Sequence, residues 1–306
     1  MDKKELFINV LLLGSSGQVG FELKHSLKPF FNLRLVNRSD INFQDFERLD
    51  SIIEEFSPDV IINAVAYTDV DKAESEANEA FKVNADLVRH LAEIANMKDA
   101  LLLHYSTDYV FDGDFGGRYT EESRVNPVSV YGKSKLLGEE SIVASGCKYL
   151  IFRTCWVYSE RRKNFLLTMI NAFRTKEFIN VVDDQLGTPT SAMFISELTL
   201  NCLNKIFYQD TSLNDVIGIY NMTAKGKTSW YGFAVSIFQR LKCLGYKDMI
   251  TNSINPISSD EYLLPAMRPK NSRLSTAKII ETFGTEILNW EHYSNHLLEK
   301  IVANTK

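Results

Sequence analysis

A tyrosine and a lysine four residues apart can do proton chemistry when a helix fixes them side by side. In Tyr131-Gly132-Lys133-Ser134-Lys135 the spacing puts Tyr131 and Lys135 on one helical face. An isolated tyrosine titrates at about 10 and is a poor acid–base group at neutral pH. A neighbouring ammonium lowers it toward the useful range, so Lys135 is expected to do this for Tyr131. A third group comes from His104-Tyr105-Ser106-Thr107-Asp108-Tyr109-Val110-Phe111, which reads as the end of a strand. Thr107 there could hydrogen-bond a reacting carbonyl, because α/β sheets bind ligands at the carboxyl ends of their strands. By itself the Tyr131–Lys135 pair fits an ordinary amphipathic helix equally well. Joined to Thr107 and to the loop described next, it reads as catalytic.

That loop is Gly14-Ser15-Ser16-Gly17-Gln18-Val19-Gly20, which follows an apolar run and opens a helix. A sharp turn, a close approach of backbone to a pyrophosphate and tight helix–strand packing all call for glycine. The helix start adds free N–H groups and a positive dipole end. Gly14, Ser16, Gly17, Gln18, Val19 and Gly20 are therefore candidate dinucleotide contacts, and Lys135 could reach the ribose. The spacing is G-x-x-G-x-x-G, and the plain alternative is a tight strand-to-helix turn. After the second apolar run come Val36-Asn37-Arg38-Ser39-Asp40. Asn37 stands where an acid reading a ribose would be expected. Arg38 would meet the 2′-phosphate of NADPH, unless it is a solvated surface arginine. Asp40 keeps NADH open.

These groups need elements to hold them. Apolar runs occur at Phe7 to Leu13, Leu33 to Val36, Asp59 to Ala66, Leu101 to Tyr105 and Tyr149 to Arg153. Helix-length stretches lie between them at Phe43 to Phe56, Ala77 to Met97 and Tyr131 to Ala144. Continuous apolar strands alternating with helices imply a parallel sheet covered on both faces, the doubly wound α/β (Rossmann) class. Residues 1–157 are expected to form the dinucleotide domain. Residues 158–306 form mostly a smaller substrate lobe, with segments near 178–205 returning to the sheet. Phe178 to Val182 and Ile217 to Met222 read as further strands, and Ser191 to Phe207 as a helix.

Composition narrows the class. The 306 residues carry a formal net charge of -5. A mildly acidic chain is a poor partner for nucleic acid or an anionic membrane surface, and none is expected. Cys147, Cys155, Cys202 and Cys243 form no C-x-x-C pair. They read as buried free thiols of a reducing compartment. Lys3 and Lys4 before Leu6 to Leu13 resemble a short signal peptide, but no cleavage site follows and the run enters the glycine loop. A buried strand and a cytoplasmic location are expected.

The residues above resemble the Ser/Thr–Tyr–Lys triad of the extended short-chain dehydrogenase/reductases. More closely, the chain is similar to the dTDP-4-dehydrorhamnose reductase family. The matching stretches are LLLGSSGQVG, PDVIINAVAYTDVDKAE, LLHYSTDYVFDG, NPVSVYGKSKLLGEE, LIFRTCWVY, VVDDQLGTPT, SWYGFA and RPKNSRL. The resemblance implies NADPH- or NADH-dependent reduction of the C4 keto group of a nucleotide-linked 4-keto-6-deoxyhexose, with a dTDP-sugar as substrate. It implies Thr107, Tyr131 and Lys135 as the triad and Asn42 and Phe43 beside the adenine. Ala64, Val65 and Ala66 would line the cofactor. Asp108 and Trp156 would contact the sugar nucleotide, and Arg268 and Arg273 its diphosphate. Trp156 could equally be a core aromatic, and either arginine a structural ion pair. Some members bind magnesium at a dimer contact. Glu22 matches one such position, Met193 replaces a second acid, and Glu299 fits a third only with a register shift. No metal is therefore expected, and a homodimer stays open. Two alternatives remain: a related nucleotide-sugar reductase of other stereochemistry, or a non-catalytic homologue like the methionine adenosyltransferase regulatory subunit. The complete triad speaks against the second.

Overall fold

Alternate side chains of the first strand enter two different cores. Val10 and Leu12 join one apolar cluster and Leu11 and Leu13 another. The same split recurs at Ile62 and Ile61 and at Leu103 and Leu102. A strand buried on both faces has no polar side, which is why these runs are apolar throughout. A computed structural model describes residues 8–209 and 211–304. The expected start of the first strand at Phe7, with Lys3, Lys4 and Leu6 before it, lies outside the described residues.

The first half runs β1 (Asn9–Leu13), α1 (Gln18–Leu27), β2 (Asn32–Val36), α2 (Phe46–Phe56), β3 (Val60–Asn63), α3 (Val70–Ser75), α4 (Ala77–Phe81), α5 (Leu87–Met97), β4 (Leu101–Thr107), α6 (Val130–Ser145) and β5 (Lys148–Thr154). A strand at Gly218–Asn221 completes a six-stranded parallel sheet. Its order is Gly218–Asn221, β5, β4, β3, β1, β2. The order reverses between β1 and β3, which opens a crevice at their carboxyl ends.

Several expectations shift in detail. β3 stops at Asn63 and not at Ala66, because Asn63 Oδ1 accepts the Val65 N–H at 3.0 Å and turns the chain out of the sheet. The single helix expected over Ala77 to Met97 is interrupted by a π-helical segment, Lys82–Asp86. Its Asn84 bridges the Tyr67 backbone and the Ser134 hydroxyl, tying the bulge to α6. The strand Phe178–Val182 does not return to the central sheet. It pairs in parallel with Ser253–Ile257 in a separate ribbon, and Gly218–Asn221 takes the sheet edge beside β5. What returns is the helix Ala192–Tyr208, which packs along α1 as a cover.

The RPKNSRL stretch is stitched between two loops. Leu186 bonds the Lys270 carbonyl and accepts from the Ser272 N–H, and Tyr119 bonds Arg273 and Ser275. This brings residues 270–275 against the loop that follows β4. Three cysteines are buried and free as expected, whereas Cys243 is free but exposed. Among the described residues no helix is long and apolar enough to cross a membrane.

Candidate active site

The glycine loop closes tightly on its neighbours. Gly14 has φ +82°, and a Cβ there would lie 2.9 Å from the Ala64 carbonyl oxygen. A Cβ on Gly20 would come within 2.2 Å of the Gly14 carbonyl. Gly17 caps α1 without any side-chain bond, so the first amides of that helix point outward unpaired by a cap. Gln18 Oε1 accepts from Ser159 Oγ at 2.9 Å and from Asn164 Nδ2 at 3.0 Å. Arg162, at φ +61°, donates from Nε to the Ser16 carbonyl at 3.1 Å. Val19 packs inward against the core. A helix start with free amides, approachable only because glycines line it, fits a pyrophosphate.

Asn37 reaches back to the glycine loop: its Oδ1 accepts from Ser15 Oγ at 3.0 Å and from the Ser16 N–H at 2.8 Å. Arg38, Asn42, Phe43 and Val65 do come together. They line one cleft of about 490 Å³ with Tyr67, Glu76 and Glu79. Arg38 is exposed at that cleft and Phe43 is buried beneath it. Ala64 and Ala66 are half-buried on either side of Val65.

The proposed triad converges where β4 ends and α6 begins. Thr107 Oγ1 accepts the Tyr109 N–H at 3.2 Å and donates to Asp108 Oδ1 at 3.1 Å. Tyr131 sits in the first turn of α6, which Ser129 caps through the Gly132 N–H, and its ring meets Tyr109 edge-on at 5.4 Å. Lys135, one turn on, is buried. The expectation that its ammonium acidifies Tyr131 is not met. Burial pushes the phenol up to about 12, Asp108 adds to the rise, and the Thr107 hydroxyl counters part of it. Lys135 Nζ points instead to the Tyr105 carbonyl at 2.6 Å and to His104 Nε2 at 3.0 Å. Helical spacing puts two side chains on one face; it does not aim them at one another.

Of the residues expected to contact substrate, Asp108 is buried and its Oδ2 has no partner. Burial pushes its carboxyl up to about 7 against hydrogen bonds from Ser272 and Thr107. Trp156 is half-buried with φ +50° and stacks on Trp230, whose Nε1 donates to Gln185. Arg268 is held by Asp71 through two bonds of 3.1 and 2.7 Å. Arg273 bonds Asn271 Oδ1 at 2.8 Å and the Gly116 carbonyl at 2.7 Å. Both arginines thus already have internal partners. Of the positions compared with magnesium ligands, Glu299 pairs with Arg240, and Glu22 is half-buried near Glu160.

Sequence reading gave no role to Asn63, His104, Asn84, Arg162 or Trp230, which support these groups from behind. Apart from the Val65 amide, two residues from Asn63, their partners lie 17 to 146 residues away, beyond any local pattern. The doubled tryptophans of the LIFRTCWVY and SWYGFA stretches were the only visible signal.

The family model described as RmlD substrate binding domain matches residues 8–303. A dTDP-4-dehydrorhamnose reductase of Escherichia coli (strain K12) is 36% identical over 97% of this chain and 99% of that protein. One from Burkholderia thailandensis is 39% identical over 93% of this chain and 96% of its own length. The crystal structure of dTDP-4-dehydrorhamnose reductase from Bacillus anthracis in complex with NADP superposes with a TM-score of 0.87. It is 30% identical and covers 96% of this chain and 100% of that one.

Proposed function

The chain belongs to the dTDP-4-dehydrorhamnose reductase family, and from that premise we propose how it works. It is an NADPH-dependent oxidoreductase that reduces the C4 keto group of dTDP-4-dehydro-L-rhamnose to give dTDP-L-rhamnose. NADPH, when bound, supplies the hydride that C4 receives. The glycine loop and the start of α1 hold its pyrophosphate. Arg38 meets the 2′-phosphate, Asn42 and Phe43 flank the adenine, and Ala64, Val65 and Ala66 line the path between.

Tyr131 gives its proton to the oxygen at C4. A phenol pushed up to about 12 carries that proton throughout the neutral range, so it starts each turnover as an acid. Thr107 is fixed by the Tyr109 N–H and can turn its own proton from Asp108 to the keto oxygen. Lys135 organises the ribose. Asp108 and Trp156 contact the sugar nucleotide, with Arg268 and Arg273 toward the diphosphate. Hydride and proton together convert C=O to CH–OH, and no other group is consumed.

The single observation that carries the reading is the meeting of Thr107 and Tyr131 at the end of β4, beside a glycine loop at the same end of the sheet. A division near residue 157, a cytoplasmic location and a homodimer belong to the same reading; sedimentation velocity tests the last. The deciding experiment is single-turnover NADPH oxidation with dTDP-4-dehydro-L-rhamnose. Product of the opposite C4 configuration would favour a related reductase, and no turnover at all would leave only a binding role.

A further inference from the structure

Arginine carries five N–H donors in a planar fork, and which of them are spent decides what else it can hold. Arg268 spends three. Its Nη1 donates to Asp71 Oδ1 and to the Ala266 carbonyl, both at 3.1 Å, and its Nη2 donates to Asp71 Oδ2 at 2.7 Å. The two that remain are Nε–H and the second Nη2–H. They lie parallel on one edge of the plane, the arrangement that grips two oxygens of a phosphate group. Among the described residues that edge has no hydrogen-bond partner. Arg273 is the reverse case. Its Nε and Nη2 already donate to Asn271 Oδ1 and the Gly116 carbonyl, so its side edge is turned into the fold.

The open edge is held in place from two flanks. Asp71 sits in the first turn of α3, and its Oδ1 also accepts the Ala266 N–H at 3.3 Å. One carboxylate thus grips both the guanidinium and the backbone two residues before it. Its hydrogen bonds from Arg268 hold the carboxyl below its ordinary range against the effect of burial, so it is ionised at neutral pH. On the other flank Pro269 lies against Gly113, in the loop after β4, where a Cβ would come 2.6 Å from Pro269 Cα. Both charges of the pair act on Tyr109, whose ring meets Tyr131. Lys163, exposed on the loop that carries Arg162, is a further cation acting on Asp71. Arg268 and Lys163 against the one carboxylate leave a net positive charge at this rim, which suits an anion.

We propose that Asp71 is a positioning residue for the substrate diphosphate: its two-point pair takes the end of the Arg268 fork and thereby presents the Nε–Nη2 edge to the phosphate oxygens. The inference rests on the reading of Arg268 as a diphosphate contact and deepens it. Asparagine in place of Asp71 would keep one acceptor and set an amide donor against the other Nη, so the guanidinium must rotate and the edge is no longer aimed. Two other roles for the pair make different forecasts. A pair that only tied residues 266–268 to α3 would change the Tm and no binding constant. A pair that competed with substrate for Arg268 would give tighter binding once Asp71 is removed.

The test is calorimetric titration of the full chain with dTDP and, separately, with thymidine, which lacks the diphosphate. Asp71→Asn should weaken dTDP by about tenfold and leave thymidine unchanged, and in turnover the loss should fall on KM more than on kcat. In an Arg268→Gln background the same change should cost less than about twofold, because Asp71 acts only through that arginine. Should Asp71→Asn not fold, Asp71→Glu keeps the charge but lengthens the arm by one methylene, and about a threefold loss of dTDP affinity is expected of it. Unchanged or tighter dTDP binding overturns the proposal. So does an equal loss of thymidine, or a full loss that persists in the Arg268→Gln background. The diphosphate reading fails separately: Arg268→Gln alone would then bind dTDP as the wild type does.

Discussion

Trp156 lies flat on Trp230, with ring centroids 3.6 Å apart and planes 11° from parallel. The first ring follows β5 and carries a left-handed backbone; the second opens the helix Trp230–Cys243 and also meets Phe165. The stack, with Gly187 also close against the ring, explains how Trp156 is held steady although its backbone is strained.

Trp156→Ala should raise the KM for the sugar nucleotide by about tenfold and leave NADPH affinity unchanged. Trp230→Phe should raise it less, because a stack of this kind contributes about 0.5–1.5 kcal/mol and a smaller ring keeps part of it. Steady-state kinetics with both substrates varied will separate the effects. A Trp156→Ala protein that melts early yet keeps its KM would make Trp156 a core residue.

Tyr131→Phe removes one hydroxyl and leaves the ring against Tyr109, so the Tm should barely change. Reduction should slow by about a hundredfold or more, the scale of a positioned general acid. Rapid-mixing measurement of NADPH oxidation checks this, and a wild-type rate would assign the proton to another group.

Arg38→Ala should weaken NADPH far more than NADH. Arg38 stands exposed at the cleft it lines with Asn42 and Phe43, and on the proposed reading only the phosphorylated cofactor offers it a partner there. The ratio of the two dissociation constants is the readout. Equal losses would return Arg38 to the solvated surface.

Asp108 should make stability fall as pH rises. Its carboxyl is pushed from the ordinary 3.8 up to about 7, chiefly by burial. Between those values the folded chain holds the proton more tightly than the unfolded chain. The stability it contributes is complete below about pH 4 and is lost as pH rises through 7. Asp108→Asn should abolish that loss. Its gain on the wild type should reach up to a few kcal/mol, because each tenfold difference in proton affinity corresponds to about 1.4 kcal/mol. Urea unfolding at pH 5 and pH 8 measures the difference. A gap that does not widen with pH would mean that Asp108 is hydrated or already ionised.

Much of this was legible in the residues. Buried parallel strands must be apolar on both faces, so β1, β3 and β4 announce themselves as unbroken runs. The turn from β1 into α1 must pass close to Ala64, so it is written in glycine. The four-residue spacing of Tyr131 and Lys135 fixes their shared helical face. These are local constraints, carried by the chain order itself. Where a side chain points is decided by what packs against it, and that is not local. Lys135 turns to His104, Asn37 to the glycine loop and Arg268 to Asp71, because folding sets those partners within hydrogen-bonding reach. The choice of Gly218–Asn221 over Phe178–Val182 for the sheet edge has the same origin. Both read as strands, and only the free edge of β5 selects between them.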